Sequence, residues 1–251
     1  MSSNTIKILR FGALEYNRAY KVQEHLVNIL KTGVENKKSH PNFLILLEHK
    51  PVYTTGIRTK EYSSDEEMYL RSLGADFVRT NRGGLITFHG PGQLVAYPIL
   101  NLTQFIPQAN RRKSALGMRW YVKTLEEVVI QVCSEYNLQG SRSPHTGVWV
   151  GDNKICAMGV HNSQLITSHG LALNCNVDLD WFTKIIPCGI IGKGVTSLTS
   201  ELNQEIKIEE VRPVLVKHFG DQFSAQMEDC SPEDLEKYLP SELNLTLEPD
   251  S

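Results

Sequence analysis

The chain is 251 residues long, with 26 basic and 28 acidic side chains for a formal charge of −2, and it is 41% hydrophobic, 22% charged and 8% aromatic. A chain of this length buries roughly 70–75% of its unfolded surface, which is enough for a large core without staples. No Lys/Arg run exceeds Arg111-Arg112-Lys113, and the longest apolar run, residues 43–47, is strand-sized, which argues against a nucleic-acid-gripping basic field and against a helical membrane span of about 18 apolar residues.

In chain order, residues 1–10 hold Lys7 and Arg10 with no acid before Glu15 and no secretory apolar region, a pattern compatible with organelle import. Ala19, Val22, Leu26, Ile29 and Leu30 fall on one face of a helix, as do Leu125, Val128, Val129, Val132 and Tyr136, so two amphipathic helices are expected. Between them, residues 43–47, 77–80, 85–88 and 94–100 are short apolar runs suited to strands. Residues 148–150 and 155–160 flank the turn-rich triplet Gly151-Asp152-Asn153 and read as a hairpin, and residues 165–174 form a further strand containing Gly170. Strands arriving in runs with helices between them predict an α+β domain with a mixed or antiparallel sheet and flanking helices. Residues 221–251 carry a net charge of −8 against +6 for residues 1–220. Ser231-Pro232-Glu233-Asp234 is a helix start, but Pro240, Pro249 and few apolar residues make 221–251 read as an acidic C-terminal extension, docked or mobile.

Five cysteines, Cys133, Cys156, Cys175, Cys188 and Cys230, are odd in number with no CxxC pair. This favours a reducing compartment over a disulfide framework or a zinc site. The densest unusual segment runs Arg82-Gly83-Gly84-Leu85-Ile86-Thr87-Phe88-His89-Gly90-Pro91-Gly92-Gln93. It suits a ligand-binding loop or a tight hairpin equally, and neither GxGxxG nor GK[ST] occurs in the chain, which disfavours a nucleotide site. Cys188, between Pro187 and Gly189, is the cysteine best placed for presentation at a bend. A free thiol is only a few per cent thiolate at neutral pH and needs a cation or base beside it. Lys154 is a candidate, and so are His89, His161 and His169; spacing does not choose among them.

Four segments, RGGLITFHGPGQLVAYP from Arg82, TGVWVGDNKICAMGV from Thr146, TSHGLALN from Thr167 and PCG from Pro187, resemble the octanoyltransferase family of lipoate biosynthesis, the lipoyl(octanoyl) transferases. The resemblance runs from about residue 7 to about residue 215 and implies the fold of lipoate-ligase and biotin-ligase catalytic domains over residues 1–220. It implies transfer of an octanoyl group from octanoyl-acyl carrier protein to a lysine of lipoyl domains, such as those of 2-oxoacid dehydrogenase complexes or the glycine cleavage H protein, through a cysteine thioester. By the same resemblance Cys188 is the acyl carrier and Lys154 activates it. The acyl-binding positions are Arg82, Gly83, Gly84, Leu85, Ile86, Thr87, Phe88 and His89, then Ala157, Met158 and Gly159, then Gly170, Leu171 and Ala172. No position departs from the family's pattern; Cys156 and the acidic extension are additions.

Thioester-to-thioester exchange is nearly isoenergetic and thioester-to-amide transfer is downhill, so no ATP, other cofactor or metal is expected. The alternatives are an ATP-dependent lipoate–protein ligase, which has no use for a nucleophilic thiol, and a catalytically silent acyl- or lipoyl-domain-binding protein. Gly83, Gly84 and Gly159 are expected to leave room for the acyl chain, and Lys154 serves as base if burial disfavours its ammonium. The basic excess of residues 1–220 suits acidic protein partners, with the extension expected to screen that surface if it folds over it. The motifs favour a mitochondrial location, with cytoplasm the alternative for a bacterial protein.

Overall fold

The computed structural model describes residues 4–58, 62–106, 114–190 and 192–249; the run Arg111-Arg112-Lys113 lies outside the described residues. Their architecture is the expected α+β arrangement, with a large mixed sheet covered on both faces and a small sheet packed beside it. The strands of the large sheet are β1 (Asn4–Leu14), β2 (Asn42–His49), β6 (Gln93–Ile99), β7 (Gly140–Ser141), β8 (Val148–Val150), β9 (Asn153–Ser163), β10 (Ile166–Asn174), β11 (Gly194–Val195) and β12 (Ala225–Asp229). Their order is β12-β1-β2-β6-β10-β9-β8-β7, with β11 also on β9. β1 pairs in parallel with β12 and β2, the path from β2 to β7 is antiparallel, and β11 joins β9 in parallel. The small sheet, in the order β4-β3-β5, is formed by β3 (Val52–Thr55), β4 (Asp76–Arg79) and β5 (Thr87–His89).

The unbroken apolar run of β2 follows from burial on both faces. Its Phe43, Ile45 and Leu47 pack under α1 (Tyr16–Glu35), whose Ala19, Val22, Leu26 and Leu30 form the expected buried stripe. Leu44 and Leu46 face the opposite core, where α3 (Ser114–Glu135) supplies Leu125, Val128, Val129 and Val132, the short α4 (Leu198–Leu202) supplies Leu198, and α5 (Ile208–Phe223) supplies Val211, Leu215 and Phe219. A third cluster lies under the small sheet, where Tyr53, Phe77 and Phe88 meet Phe182, and Trp181 stacks on Phe88 at 4.8 Å. α2 (Ser64–Ser72), started by a Ser63/Glu66 capping box, closes that side. No helix among the described residues is long and apolar enough to cross a membrane.

Two expectations are corrected. Residues 85–88 do not form a strand throughout: β5 begins only at Thr87, because the carbonyls of Gly83 and Leu85 turn to the Arg82 guanidinium. The boundary at residue 220 falls inside α5, and the segment beyond that helix is built into the domain. β12 is an edge strand of the large sheet, and α6 (Pro232–Tyr238) and the residues after it give Leu235, Tyr238, Leu239, Leu243, Leu245 and Leu247 to the α1-side core. Tyr238 meets Phe43 edge-on at 5.1 Å. Four acidic side chains of this segment are engaged by bases of the preceding chain: Glu228 and Asp234 by Lys7, Asp229 by Arg10, and Glu248 by Arg212. The apolar residues of 221–251 are few, Leu235, Tyr238 and Leu239 at helical spacing and Leu243, Leu245 and Leu247 in alternation, so composition registers them as sparse although a core uses most of them.

Each fully buried large apolar side chain is worth about 1.5–3 kcal/mol, and about 2–4 °C of melting temperature accompanies each kcal/mol in a chain of this size. A chain ending at Ser224 should therefore melt about 10 °C or more below the full chain by circular dichroism. An unchanged melting temperature would show the segment to be dispensable to the fold.

Candidate active site

A cleft lies between the two sheets, with about 430 Å³ of empty space, part of it open to solvent. Its floor belongs to the large sheet, where register opposes Gly170 to Gly159 and Ala172 to Ala157, with Val95 of β6 facing Ala172. These small residues at facing positions keep the floor low. The roof is the loop of Arg82, Gly84 and Leu85 together with Thr87 and His89 of β5. Tyr16 of α1, Tyr97 of β6 and His169 of β10 also wall the space, and Cys188 borders it.

Cys188 sits in a short 3-10 turn, Pro187–Gly189, with φ at +56°, a left-handed backbone that a non-glycine residue adopts at a cost of about 1–3 kcal/mol. The turn is held by Cys188 N donating to Ile86 O at 2.8 Å and Gly189 N donating to Ile186 O at 2.9 Å. Gly189 is also left-handed, at +67°, and a Cβ there would lie 2.4 Å from Leu85, so PCG is a fitted bend that presents a half-buried thiol to the cleft.

Lys154 is the second residue of β9 and only 6% exposed. Its Nζ donates to Thr146 O at 3.1 Å and lies 4.9 Å from the centre of the Trp149 ring. It does not line the cleft, and no hydrogen bond joins it to Cys188 among the described residues. The fold nevertheless returns the chain from the Cys188 turn to Lys154: β11 opposes Val195 to Lys154, and Thr196 N donates to Lys154 O at 3.0 Å.

Of the other expected positions, Arg82, Gly84, Leu85, Thr87, His89, Ala157, Met158, Gly159, Gly170, Leu171 and Ala172 line the cleft. Three do not. Alternation along β5 turns Phe88 away from Thr87 and His89 into the small-sheet core, which also takes Ile86, while Gly83 clamps the loop to the floor by donating to Val160 O at 3.0 Å. The reason for Gly159 also differs from the expected one: its missing Cβ would lie 2.8 Å from Gly83 O and 2.9 Å from Arg82 Cδ. The space is taken by the loop.

A buried polar wall joins Tyr16, His49, Asn81 and Tyr97, which sequence reasoning missed, to the expected His89 and His169. His49 Nδ1 donates to Leu14 O, and the Tyr97 hydroxyl donates to His49 Nε2 at 2.7 Å. The Tyr16 hydroxyl donates to His169 Nδ1 at 3.3 Å, and His169 Nε2 donates to Asn81 Oδ1 at 2.7 Å. His89 Nδ1 donates to Gln93 Oε1 at 2.7 Å. Burial holds these groups neutral: it lowers His49 to about 4, and His89 well below the usual imidazole range, with further lowering from His49 and Arg82. His169 falls to about 3 through burial and then the Arg82 charge, while burial raises Tyr16 to about 12 and Tyr97 well above the usual phenol range.

The family model of the lipoyl protein ligase A/B catalytic domain matches residues 15–220, a span that contains every cleft residue named above. The mitochondrial octanoyl-[acyl-carrier-protein]:protein N-octanoyltransferase of Danio rerio is 51% identical over 222 residues, covering 88% of this chain and 94% of its own. The octanoyltransferase of Flavobacterium psychrophilum is 41% identical over 244 residues, covering 91% and 99%. A solved lipoate protein ligase from Thermoplasma acidophilum superposes with a TM-score of 0.64 at 14% identity over 92% of this chain and 89% of that one, a likeness of fold.

The buried imidazoles make stability depend on acid. Unfolded histidine binds its proton near pH 6.5, whereas folded His49 and His169 do so only near 4 and 3. Below pH 6.5 the unfolded state binds more protons, so stability is full above that pH and falls as pH drops toward 4, by up to about 1.4 kcal/mol per pH unit for each such imidazole. Urea unfolding at pH 7, 6 and 5 should show this slope, and His49→Asn should make it shallower; an identical slope in the variant would remove His49 from the account.

Proposed function

The chain belongs to the lipoyl protein ligase A/B catalytic domain family, and on that premise we propose that it is an octanoyltransferase carrying the acyl group on Cys188. The donor is octanoyl-acyl carrier protein and the acceptor a lysine of a lipoyl domain, as in 2-oxoacid dehydrogenase complexes and the glycine cleavage H protein. The observation that carries this reading is a cysteine held in a left-handed turn at the edge of a narrow cleft with a Gly/Ala floor. An ATP-dependent ligase needs no such thiol.

In the first half-reaction Lys154 takes the Cys188 proton and the sulfur attacks the octanoyl carbonyl. The new C–S bond forms, the donor's C–S bond breaks, and the departing thiolate takes the proton back from Lys154. For this, Nζ must exchange Thr146 O for the sulfur. In the second half-reaction the acceptor amine attacks the same carbon. An aqueous lysine is under 1% free amine at neutral pH, so the base is needed again. Lys154 takes a proton from the amine nitrogen and passes it to the departing Cys188 sulfur as the amide forms.

Both tetrahedral intermediates place an anion on the carbonyl oxygen, where a well-aimed donor contributes about 3 kcal/mol. The amides of Cys188, Gly189 and Ile190 already donate to Ile86, Ile186 and Pro187 carbonyls, which leaves the bend at Gly84 as the source of a backbone donor. The octanoyl tail lies along the Gly/Ala floor, where burying its seven CH₂/CH₃ groups is worth up to about 5 kcal/mol. A mitochondrial location accords with the eukaryotic relatives, and a cytoplasmic one with the bacterial relatives.

Incubation with octanoyl-acyl carrier protein should add one octanoyl mass to Cys188, removed again by lipoyl domain. Cys188→Ser should abolish the adduct, and Lys154→Arg should slow transfer by about 10²–10⁴-fold; full transfer by either variant would overturn the assignment. Gly159→Val, which displaces the Arg82 loop, should slow octanoyl and butanoyl transfer alike. Loss of octanoyl transfer alone would return Gly159 to the tail slot.

A further inference from the structure

Four Lys/Arg side chains are buried among the described residues: Arg10, Arg82, Lys154 and Arg212. Arg10 is paired with Asp229 and Arg212 with Glu248. Arg82 and Lys154, the two on the Cys188 side of the molecule, have no carboxylate partner among the described residues. Every hydrogen bond of the Arg82 guanidinium goes to a neutral acceptor: Nη2 to Thr54 O and Oγ1 at 2.6 and 2.8 Å, Nη1 to Gly83 O and Leu85 O at 3.0 and 3.1 Å. Its Nε is buried without a partner. A buried charge left without a counter-ion is unfavourable, and the molecule avoids it for its other two buried arginines.

No Asp or Glu among the described residues lines the cleft. The imidazoles of His89 and His169 and the phenols of Tyr16 and Tyr97 are held neutral by burial, as is His49 behind them. Arg82 and Cys188 line the same cleft, and of the titratable groups that line it with Arg82, Cys188 is the one the proposed reaction ionises. We infer that Arg82 is the fixed counter-charge for the anions of acyl transfer, first the Cys188 thiolate and then the carbonyl oxyanion of each tetrahedral intermediate. The inference rests on the reading of Cys188 as the acyl carrier. An arginine suits the task because it stays protonated through the cycle while Lys154 loses and regains its proton. The four bonds to Thr54, Gly83 and Leu85 fix the charge in place before reaction, so no reorganisation accompanies the charge that develops.

Two variants separate charge from geometry. Arg82→Gln removes the charge, whereas Arg82→Lys keeps it and loses the planar fork. The readout is the pH at which alkylation of Cys188 by iodoacetamide reaches half its maximal rate, together with single-turnover acylation by octanoyl-acyl carrier protein; thermal melting reports folding. Arg82→Gln should move the alkylation midpoint up by about one pH unit or more and slow acylation by about 10²–10³-fold. Arg82→Lys should melt lower yet keep the midpoint of the parent. A folded Arg82→Gln with the parent midpoint would overturn the inference, and so would an Arg82→Lys midpoint displaced upward, which decides the matter alone if Arg82→Gln does not fold. The premise is read separately: if the parent chain acylates no residue at position 188, the octanoyltransferase reading fails; if it does and the midpoints coincide, only the role of Arg82 fails.

Discussion

The cleft exists because one loop is tied to both sheets at once. Arg82 reaches back to Thr54 on β3 of the small sheet, while the next residue, Gly83, donates to Val160 on β9 of the large one. The roof cannot lift from the floor without breaking either the Gly83–Val160 backbone bond or the charge-assisted Arg82–Thr54 bonds, and loss of either leaves buried groups unpaired. Gly159 belongs to the same constraint, since any side chain there would push the Gly83 carbonyl away. From this tie the position of Leu85 follows, then that of Gly189, whose missing Cβ receives the Leu85 side chain, and so the height of the Cys188 turn above the floor.

Much of this was legible in the sequence where the signal is local. The buried stripes of α1 and α3, the hairpin of β8 and β9 and the PCG bend are each specified by residues within a few positions of one another. The polar wall was not legible, because Tyr16 reads as the first residue of a helix and Tyr97 as one more large residue in an apolar strand. What makes them neighbours is the register Leu171 to Ala96 between β10 and β6 and the contact of α1 with β10, long-range facts with no sequence period. Parallel pairing of β1 with β12, which joins residues 4–8 to residues 225–229, is equally non-local. It is the reason the acidic end of the chain read as an extension. His169 was visible as one of three histidines offered beside Lys154 as partners for a thiol, but its left-handed backbone at φ +55° and its neutral, doubly bonded ring belong to the folded molecule alone.

The acidic segment also changes how the charge of the molecule is to be understood. Counted along the chain, residues 1–220 carry an excess of bases, which suits acidic partner proteins. In the fold, Lys7, Arg10 and Arg212 are already satisfied by Glu228, Asp234, Asp229 and Glu248. The segment thus neutralises bases at the β12 edge of the large sheet, whereas Lys154 lies on β9, three strands beyond β2. Any steering of an acidic partner falls to bases outside that edge.

The two buried basic side chains without a carboxylate partner among the described residues, Arg82 and Lys154, differ in the one property that matters to acyl transfer. A thiol acylated and released through the same base requires that base to be neutral at some moments and charged at others, so it cannot by itself balance the anion throughout. Lysine can make that change and arginine cannot. On the proposed assignment, a cleft lined by no carboxylate among the described residues, with its imidazoles and phenols kept neutral, lets one group move the proton while the other holds the charge. The strained turn at Cys188 completes the proposed division, because it holds the cysteine at the border of the cleft that Arg82 also lines.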